Sequence, residues 1–443
     1  IYMDAREVGF KVLCDIEKND NYSNIAINKH FKNLEISDMD RGLATELIYG
    51  VIENKYYLDY IINKLSKIKV KKMSTYVKIF LRMGTYQILF LDSISDYAAV
   101  NETVKLSKKY DKKSSGFINA ILRNEIRAKE TIMDITEEDS VKYLSIKYSY
   151  NSWIIKNWID KFGQEFAEDL LEANNEKPSI YIRTNTLKIS REELIEKLSE
   201  MGIVCLKVPM VEEAIKVEKM KNIEKNELFK AGLFTIQDIS SMIVGKVINP
   251  KEGSFVLDVC SAPGGKSTHL ATLMNNTGQV VARDIFEHKL KLINSTVNRL
   301  GLKNVFVERF DASEIDENSI SKFDYVLADV PCSGFGIIRR KPEIKYKKEE
   351  ELKDITSIQK KILENASKYV KVGGTLVYST CTIQDVENIN IVTSFVEENH
   401  NFEFVPIDTV NVDLDNQDKG YLKIYPNIHG IDGFFIAKLK RIR

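Results

Sequence analysis

Proline is missing from the first 177 positions of this 443-residue sequence; all eight prolines fall between Pro178 and Pro426. A stretch with nothing to interrupt a helix suits an all-helical domain. Cysteine is scarce: Cys14, Cys205, Cys260, Cys332 and Cys381 are odd in number, scattered, and form no CxxC pair. That argues against a disulfide framework and a zinc site, so no metal is expected and any cysteine that matters does so as a thiol. Long apolar runs are also lacking. The best candidate, VKIFLRMGTYQILFL, is interrupted by Arg82, Gly84 and Gln87, so no membrane span is expected. No signal peptide is read in the sequence, although it starts at Ile1 rather than Met, and the cytoplasm is the default expectation. Net charge is absent as well, with 64 basic and 64 acidic residues, and by itself names no anionic partner.

What is present says more. The length implies two or three domains, and 44% apolar with 29% charged residues is a soluble globular composition. Residues 61–130 hold 15 Lys+Arg against 6 Asp+Glu. Each cluster, such as KIKVKK or KKYDKK, reads singly as a solvated helix face, but several in one domain make nucleic-acid binding competitive.

Three domains are expected. In residues 1–135, AREVGFKVLCDIEK sets Val8, Val12, Leu13 and Ile16 on one helical stripe, and ATELIYGVIENKYYLDYIINKL continues the period. A further helix, capped by Ser95 or Asp96, and GFINAILRNEIRAK, with Arg123 and Arg127 on one face, complete an all-α domain. Residues 136–235 read as a small α+β unit: the pattern loosens to 178, then come strands SIYIRTNTL and IVCLKV around the helix REELIEKLSEMG. In residues 236–443 seven strands are read, at SFVLDVC, QVVARDI, NVFVERF, DYVLADV, GTLVYST, FEFV and GFFIAKLK. Helices between the first five make this a doubly wound, Rossmann-like α/β sheet, mostly parallel and closed by an antiparallel pair. Ligands of such sheets lie at the carboxyl ends of the strands.

The first strand end carries SAPGGKST, whose tail looks like a phosphate loop. G-x-x-x-x-G-K-[ST] needs its first glycine where this chain has Cys260, Pro263 stiffens the turn, and no magnesium motif follows, so the NTPase reading fails. No G-x-G-x-x-G is present either. What remains is a tight strand-to-helix turn with backbone N–H groups facing a ligand. Asp284, about 20 residues beyond the glycines, suits a ribose diol, and Asp311, ending the third strand, an adenine amino group. A single Asp of this kind is usually a helix cap; the succession favours an adenosine-type ligand without pyrophosphate. The fourth strand ends in Asp329, Pro331 and Cys332, and the fifth in Cys381. Buried cysteine is ordinarily a small apolar residue, the reading given to Cys14, Cys205 and Cys260, the last placed inside the first strand. For Cys332 and Cys381 the strand-end position favours chemistry, and either thiol suits the nucleophile.

VCSAPGGKSTH, ADVPCSGFG and YSTCTIQDVEN, in this order and spacing, resemble the signature motifs of the RNA 5-methylcytosine methyltransferases, as do Asp284, Asp311 and the closing HGIDGFFIAKL. RGLATELIYGVIENKYYLD, LRMGTYQILFL and AAVNETVKLSKK with GFINAILRN resemble the antitermination-factor (NusB-like) RNA-binding domain. The combination is similar to the bacterial enzymes of that family that act on 16S ribosomal RNA. Departures are few: Ser261 and Ser267 stand for the more usual Ala and Thr, and ENIN for Glu-Asn-Glu.

The resemblance implies a NusB-like domain over 1–135, a linker or RNA-binding subdomain over 136–235 and a class I S-adenosylmethionine-dependent methyltransferase over 236–443. It implies methylation of cytosine C5 through a covalent adduct at C6, with Cys381 as nucleophile, Cys332 assisting product release, Asp329 on the cytosine edge and Lys266 positioning or protonating groups in the site. Cys260, Ser261, Ala262, Pro263, Gly264, Gly265, Lys266, Asp284, Asp311 and Asp329 would hold S-adenosylmethionine. Arg339, Arg340 and Lys341 are read as holding the RNA backbone, against a plain solvated surface. The expected partner is 16S ribosomal RNA, and a monomer is expected. Transfer RNA as substrate, or a non-catalytic RNA-binding or antitermination protein, are the alternatives; both cysteines being present speaks against the latter.

Overall fold

The computed structural model describes residues 4–19, 22–32, 34–220, 222–410 and 414–443. Contacts group the chain into two compact units: Ile1–Glu176 with Ile338–Lys348, and Lys177–Ile337 with Glu349–Arg443. Among the described residues no helix is long and apolar enough to cross a membrane.

The first unit is helical. Its helices Ala5–Asn19, Ser23–Phe31, Asp38–Glu53, Lys55–Leu65, Thr75–Phe90, Asp96–Tyr110 and Ser115–Arg127 pack one core in which Val8, Val12 and Leu13 are buried and Phe10 stacks on Phe80 at 4.3 Å. Ser95 is the cap of its helix, its side chain accepting from the Ala98 N–H. The apolar period expected to run on through residue 65 is broken at Asn54, whose side-chain amide donates to the Gly50 carbonyl and ends the helix there. The stretch read as loosening forms three short helices, Ser140–Tyr148, Ser152–Phe162 and Gln164–Asn175. Ser149 and Gly163, with φ of 62° and 82°, turn the chain between them, and Trp158 is fully buried against Tyr150. These helices group with the preceding ones, so the contacts do not divide at residue 135.

The second unit contains two sheets. β1 (Ile180–Thr184), β2 (Val204–Lys207), β3 (Ala214–Glu218) and β4 (Phe234–Ile236) form an antiparallel sheet of order β2-β3-β1-β4. The helix Arg191–Glu200 starts at a Ser190–Glu193 capping box. The larger sheet comprises β5 (Phe255–Asp258), β6 (Gln279–Asp284), β7 (Val305–Arg309), β8 (Phe323–Asp329), β9 (Val370–Thr380), β10 (Phe402–Phe404), β11 (Tyr421–Ile424) and β12 (Phe434–Arg441). Its order is β10-β12-β9-β8-β5-β6-β7, with β11 also paired to β12. β5 to β9 run parallel, and β12 pairs antiparallel with β9, β10 and β11. Among the described residues the sheet therefore has eight strands rather than the expected seven. β11 escaped the sequence reading although Asn416 and Gly420, with φ of 71° and 83°, turn the chain ahead of it, because YLKI is only four residues long. The order reverses between β5 and β8, a switch point that opens a crevice at their carboxyl ends.

Candidate active site

Chain leaving β5 passes through residues 259–264 into the helix Gly265–Leu273. Gly264 has φ of 99°, and a Cβ there would lie 3.2 Å from Ile293, so the turn requires glycine. Cys260 lies beyond β5, in the turn, and not within the strand as expected; burial pushes its thiol up. Ser261 donates its N–H to the Arg283 carbonyl, which ties the turn to β6. Its hydroxyl is buried without a hydrogen-bond partner. Asp258, the last residue of β5, is fully buried and accepts from Ser267 Oγ at 2.6 Å. Burial first, and the neighbouring Asp329 carboxylate second, raise its carboxyl to about 7.

From the same helix Lys266 reaches the end of β8, its Nζ 2.7 Å from Asp329 Oδ2 and 5.3 Å from the centre of the Phe434 ring. Burial opposes its charge, but Asp329 outweighs that and the ammonium is raised above its ordinary value, with Cys381 adding to the effect. The other Asp329 oxygen accepts from Ser379 Oγ at 2.7 Å. Both carboxylate oxygens are thus held, one by a cation and one by a buried hydroxyl. The thiols expected to meet do meet, Cys332 Sγ lying 3.1 Å from Cys381 Sγ. The Cys381 sulfur beside it, burial, and the Glu387 carboxylate push the Cys332 thiol well up. Gly336 closes the turn: its N–H donates to the Cys381 carbonyl and its own carbonyl accepts from Gly433, so close that a Cβ would strike the Gly433 carbonyl at 1.9 Å.

The two acids expected to meet an adenosine-type ligand are placed at strand ends. Asp284 ends β6 and accepts from the N–H groups of Ala262 and Phe286, at 3.3 and 3.2 Å. Asp311 follows β7 and accepts from the Ser313 N–H and hydroxyl, at 2.9 and 2.7 Å, so it also orders its own turn. Arg339, Arg340 and Lys341 belong to the first unit and not to the unit that holds the thiol pair. All three are half-buried, and the Lys341 ammonium lies 5.0 Å from the Tyr22 ring centre. The basic run they open is no uniform solvated face: Lys345 within it is buried, donating to the Glu53 carbonyl and Asn175 Oδ1 at 2.7 and 2.9 Å.

Sequence reasoning missed Ser379, Asp258 and Arg183. Ser379 lies in β9 two residues before Cys381, inside the quoted motif YSTCT. Asp258 stands inside the quoted apolar run and reads as an interruption of it. Arg183 has no local signal: from β1, fully buried, it donates to the Gly265 carbonyl at 2.7 Å and Thr268 Oγ1 at 3.0 Å, and so props the start of the Lys266 helix from the other sheet of this unit.

A parallel sheet with a glycine turn after its first strand, acids at the next two strand ends, and thiols with a lysine–aspartate pair at the switch point defines an S-adenosylmethionine-dependent methyltransferase. The comparisons agree. Family models for the 16S rRNA methyltransferase RsmB/F, the NusB family and the RsmF/B ferredoxin-like domain match residues 245–440, 3–127 and 150–224. A probable ribosomal RNA small subunit methyltransferase B of Bacillus subtilis is 38% identical, over 99% of this chain and 98% of its own length. Its Synechocystis counterpart is 32% identical over 99% and 100%. The solved structure of PH0851 superposes with a TM-score of 0.84 at 26% identity, covering both chains fully. The chain belongs to the 16S rRNA methyltransferase RsmB/F family.

The residues present fit the methyl donor. The unpartnered Ser261 hydroxyl, the left-handed Gly264 turn, and carboxylates at the ends of β6 and β7 offer donors and acceptors in the order an amino acid and then a ribose and base require.

Proposed function

We propose that this protein methylates C5 of a cytosine in 16S ribosomal RNA, with Cys381 attacking C6 of the base. The observation that carries the reading is the thiol pair beside the Lys266–Asp329 ion pair, at the ends of adjacent parallel strands. Cytosine C5 is too weakly nucleophilic to be methylated directly; addition of a thiolate at C6 makes C5 an enamine carbon.

Ser261 to Lys266, Asp284 and Asp311 bind and orient S-adenosylmethionine, which when bound supplies the methyl group that C5 accepts. Asp329 hydrogen-bonds the cytosine edge, and Lys266 beside it gives that edge a proton as the thiolate adds and takes it back as C5 accepts the methyl. The Lys266 ammonium, raised first by Asp329 and then by Cys381, also favours a thiolate at Cys381. Once C5 is methylated its proton passes to a base, the C6–S bond breaks, and the pair of electrons leaves with Cys381. Cys332, which keeps its proton, delivers it to the departing sulfur. The target base is turned out of its stack, which costs a few kcal/mol and least in a loop. Arg339, Arg340 and Lys341 hold the RNA backbone, with further phosphate contacts from the basic stretch of residues 61–130.

Labelled S-adenosylmethionine with 16S RNA tests this reading. The wild type should place label on cytosine C5, Cys381→Ala should place none, and Cys332→Ala should accumulate a protein–RNA adduct. Full activity of Cys381→Ala would refute the assignment, and no transfer to any RNA by the wild type would favour a binding-only protein.

A further inference from the structure

Two adjacent residues that the proposed chemistry does not use, Glu387 and Asn388, are buried directly behind the thiol pair, 1% and 2% exposed. The Glu387 carboxylate serves the Cys332 loop. Oε1 accepts from the Ser333 N–H at 2.8 Å and from Gln359 Nε2 at 3.0 Å; Oε2 accepts from the Ser333 hydroxyl. Gln359 donates onward to the Pro331 carbonyl at 2.9 Å, so both neighbours of Cys332 are tied to one carboxylate.

The Asn388 side chain serves the Cys381 turn in the same way. Its Oδ1 accepts from Thr380 Oγ1 at 2.5 Å and its Nδ2 donates to the Thr382 carbonyl at 2.9 Å, so both neighbours of Cys381 are tied to one amide. Ser333 and Thr382 hydroxyls, 2.8 Å apart, bridge the two loops, and the buried Tyr378 hydroxyl donates to the Glu387 carbonyl at 2.6 Å, anchoring the dipeptide to β9. Among the described residues no cation is in direct contact with this buried carboxylate, which takes its compensation from backbone and side-chain donors.

We infer that Glu387 and Asn388 are positioning residues, a two-pronged clamp in which the carboxylate fixes the Cys332 loop and the amide fixes the Cys381 turn. The clamp holds the two sulfurs face to face and sets a negative charge behind Cys332. It rests on the proposed function for its catalytic purpose but not for its geometry. One dipeptide fixes two reactive groups from strands β8 and β9, so a shift of either prong displaces one sulfur relative to the other, and misplacement by about 1 Å costs on the order of a hundredfold in rate.

The test uses the full-length protein with Glu387→Gln and Asn388→Ala, and with Ser333→Ala as the milder variant should the first two fold poorly. Steady-state methyl transfer, melting temperature, and the pH profile of iodoacetamide alkylation at Cys332, mapped by peptide mass spectrometry, are compared with wild type. Glu387→Gln and Asn388→Ala are expected to lower kcat by roughly a hundredfold with little change in KM for either substrate. Ser333→Ala, which cuts one tie to the carboxylate, should lower kcat less. Glu387→Gln should also move the Cys332 alkylation profile to lower pH, because a negative charge behind the thiol has gone, whereas Asn388→Ala should leave that profile in place. Wild-type kcat and an unshifted profile in a folded Glu387→Gln protein would overturn the clamp, and so would loss of activity explained wholly by lowered melting temperature. The alkylation profile needs no RNA, so it judges the clamp even if wild type fails to methylate cytosine.

Discussion

Residues 329–337 and 338–348 are consecutive in the sequence, yet they serve different units. The first piece ends β8, supplies Asp329 and Cys332, and closes its turn at Gly336. The second, with its Arg and Lys run, is packed into the helical unit: Pro342, Ile344 and Lys345 are buried, and Trp153 Nε1 donates to the Lys347 carbonyl at 2.8 Å. The first was read from residue type and strand-end position, the second from residue type alone, and only the first reading carried a geometric requirement. Thiol, carboxylate and lysine have to meet for the chemistry to work. A run of cations has no such constraint, and burial of one member is invisible to charge counting.

The largest expected effect separates the two pieces by what they do to the rate. Cys381→Ala should abolish methyl transfer, by roughly four orders of magnitude or more, and Asp329→Asn should lower kcat by about a hundredfold. Lys345→Met should leave the rate per folded molecule unchanged in the same assay. A catalytic loss in Lys345→Met at full folding would show that the second piece shares in the chemistry.

A second contrast is in how stability depends on pH. Lys345 is fully buried and its amine is lowered by desolvation to about 7 from an ordinary 10.5. The unfolded chain then binds the proton more tightly, so the stability of the first unit should rise with pH by about 1 kcal/mol per unit between those values. Asp258 is raised to about 7 from an ordinary 3.8, so the folded state binds the proton more tightly. The stability of the second unit should fall by about 1 kcal/mol per pH unit across that window. Urea titrations from pH 4 to 10, with Lys345→Met and Asp258→Asn each flattening one slope, check the signs. Equal slopes in wild type and variant would remove that group from the account.

The smallest expected effect is on RNA binding. Alanine at Arg339, Arg340 and Lys341 together should weaken affinity and reduce the slope of log K against log salt by about two, leaving kcat at saturating RNA unaltered. An unchanged salt slope would make these residues part of the fold of the first unit alone.

Much of this was legible in the sequence, for identifiable reasons. The parallel strands announce themselves as apolar runs ending in acid or thiol, and the meeting of Cys332 with Cys381 follows from their being ends of neighbouring strands. The Ser95 cap was legible because capping is local. What was not legible depended on contacts between segments far apart: Arg183 under Gly265, the burial of Lys345, the helices of 140–175 joining the first unit, and the short strand β11. Glu387 and Asn388 stand in a quoted motif, yet their two-sided hold on the thiol loops appears only when β8 and β9 are side by side.

The central claim is that Cys381 forms the bond to cytosine while Cys332 keeps its proton. RNA carrying 5-fluorocytidine at the target, which cannot lose its C5 substituent as a cation, traps the adduct in the presence of S-adenosylmethionine. Proteolysis and mass mapping of the trapped complex should find the nucleotide on the peptide containing Cys381. A nucleotide on Cys332 would reverse the assignment of the two thiols.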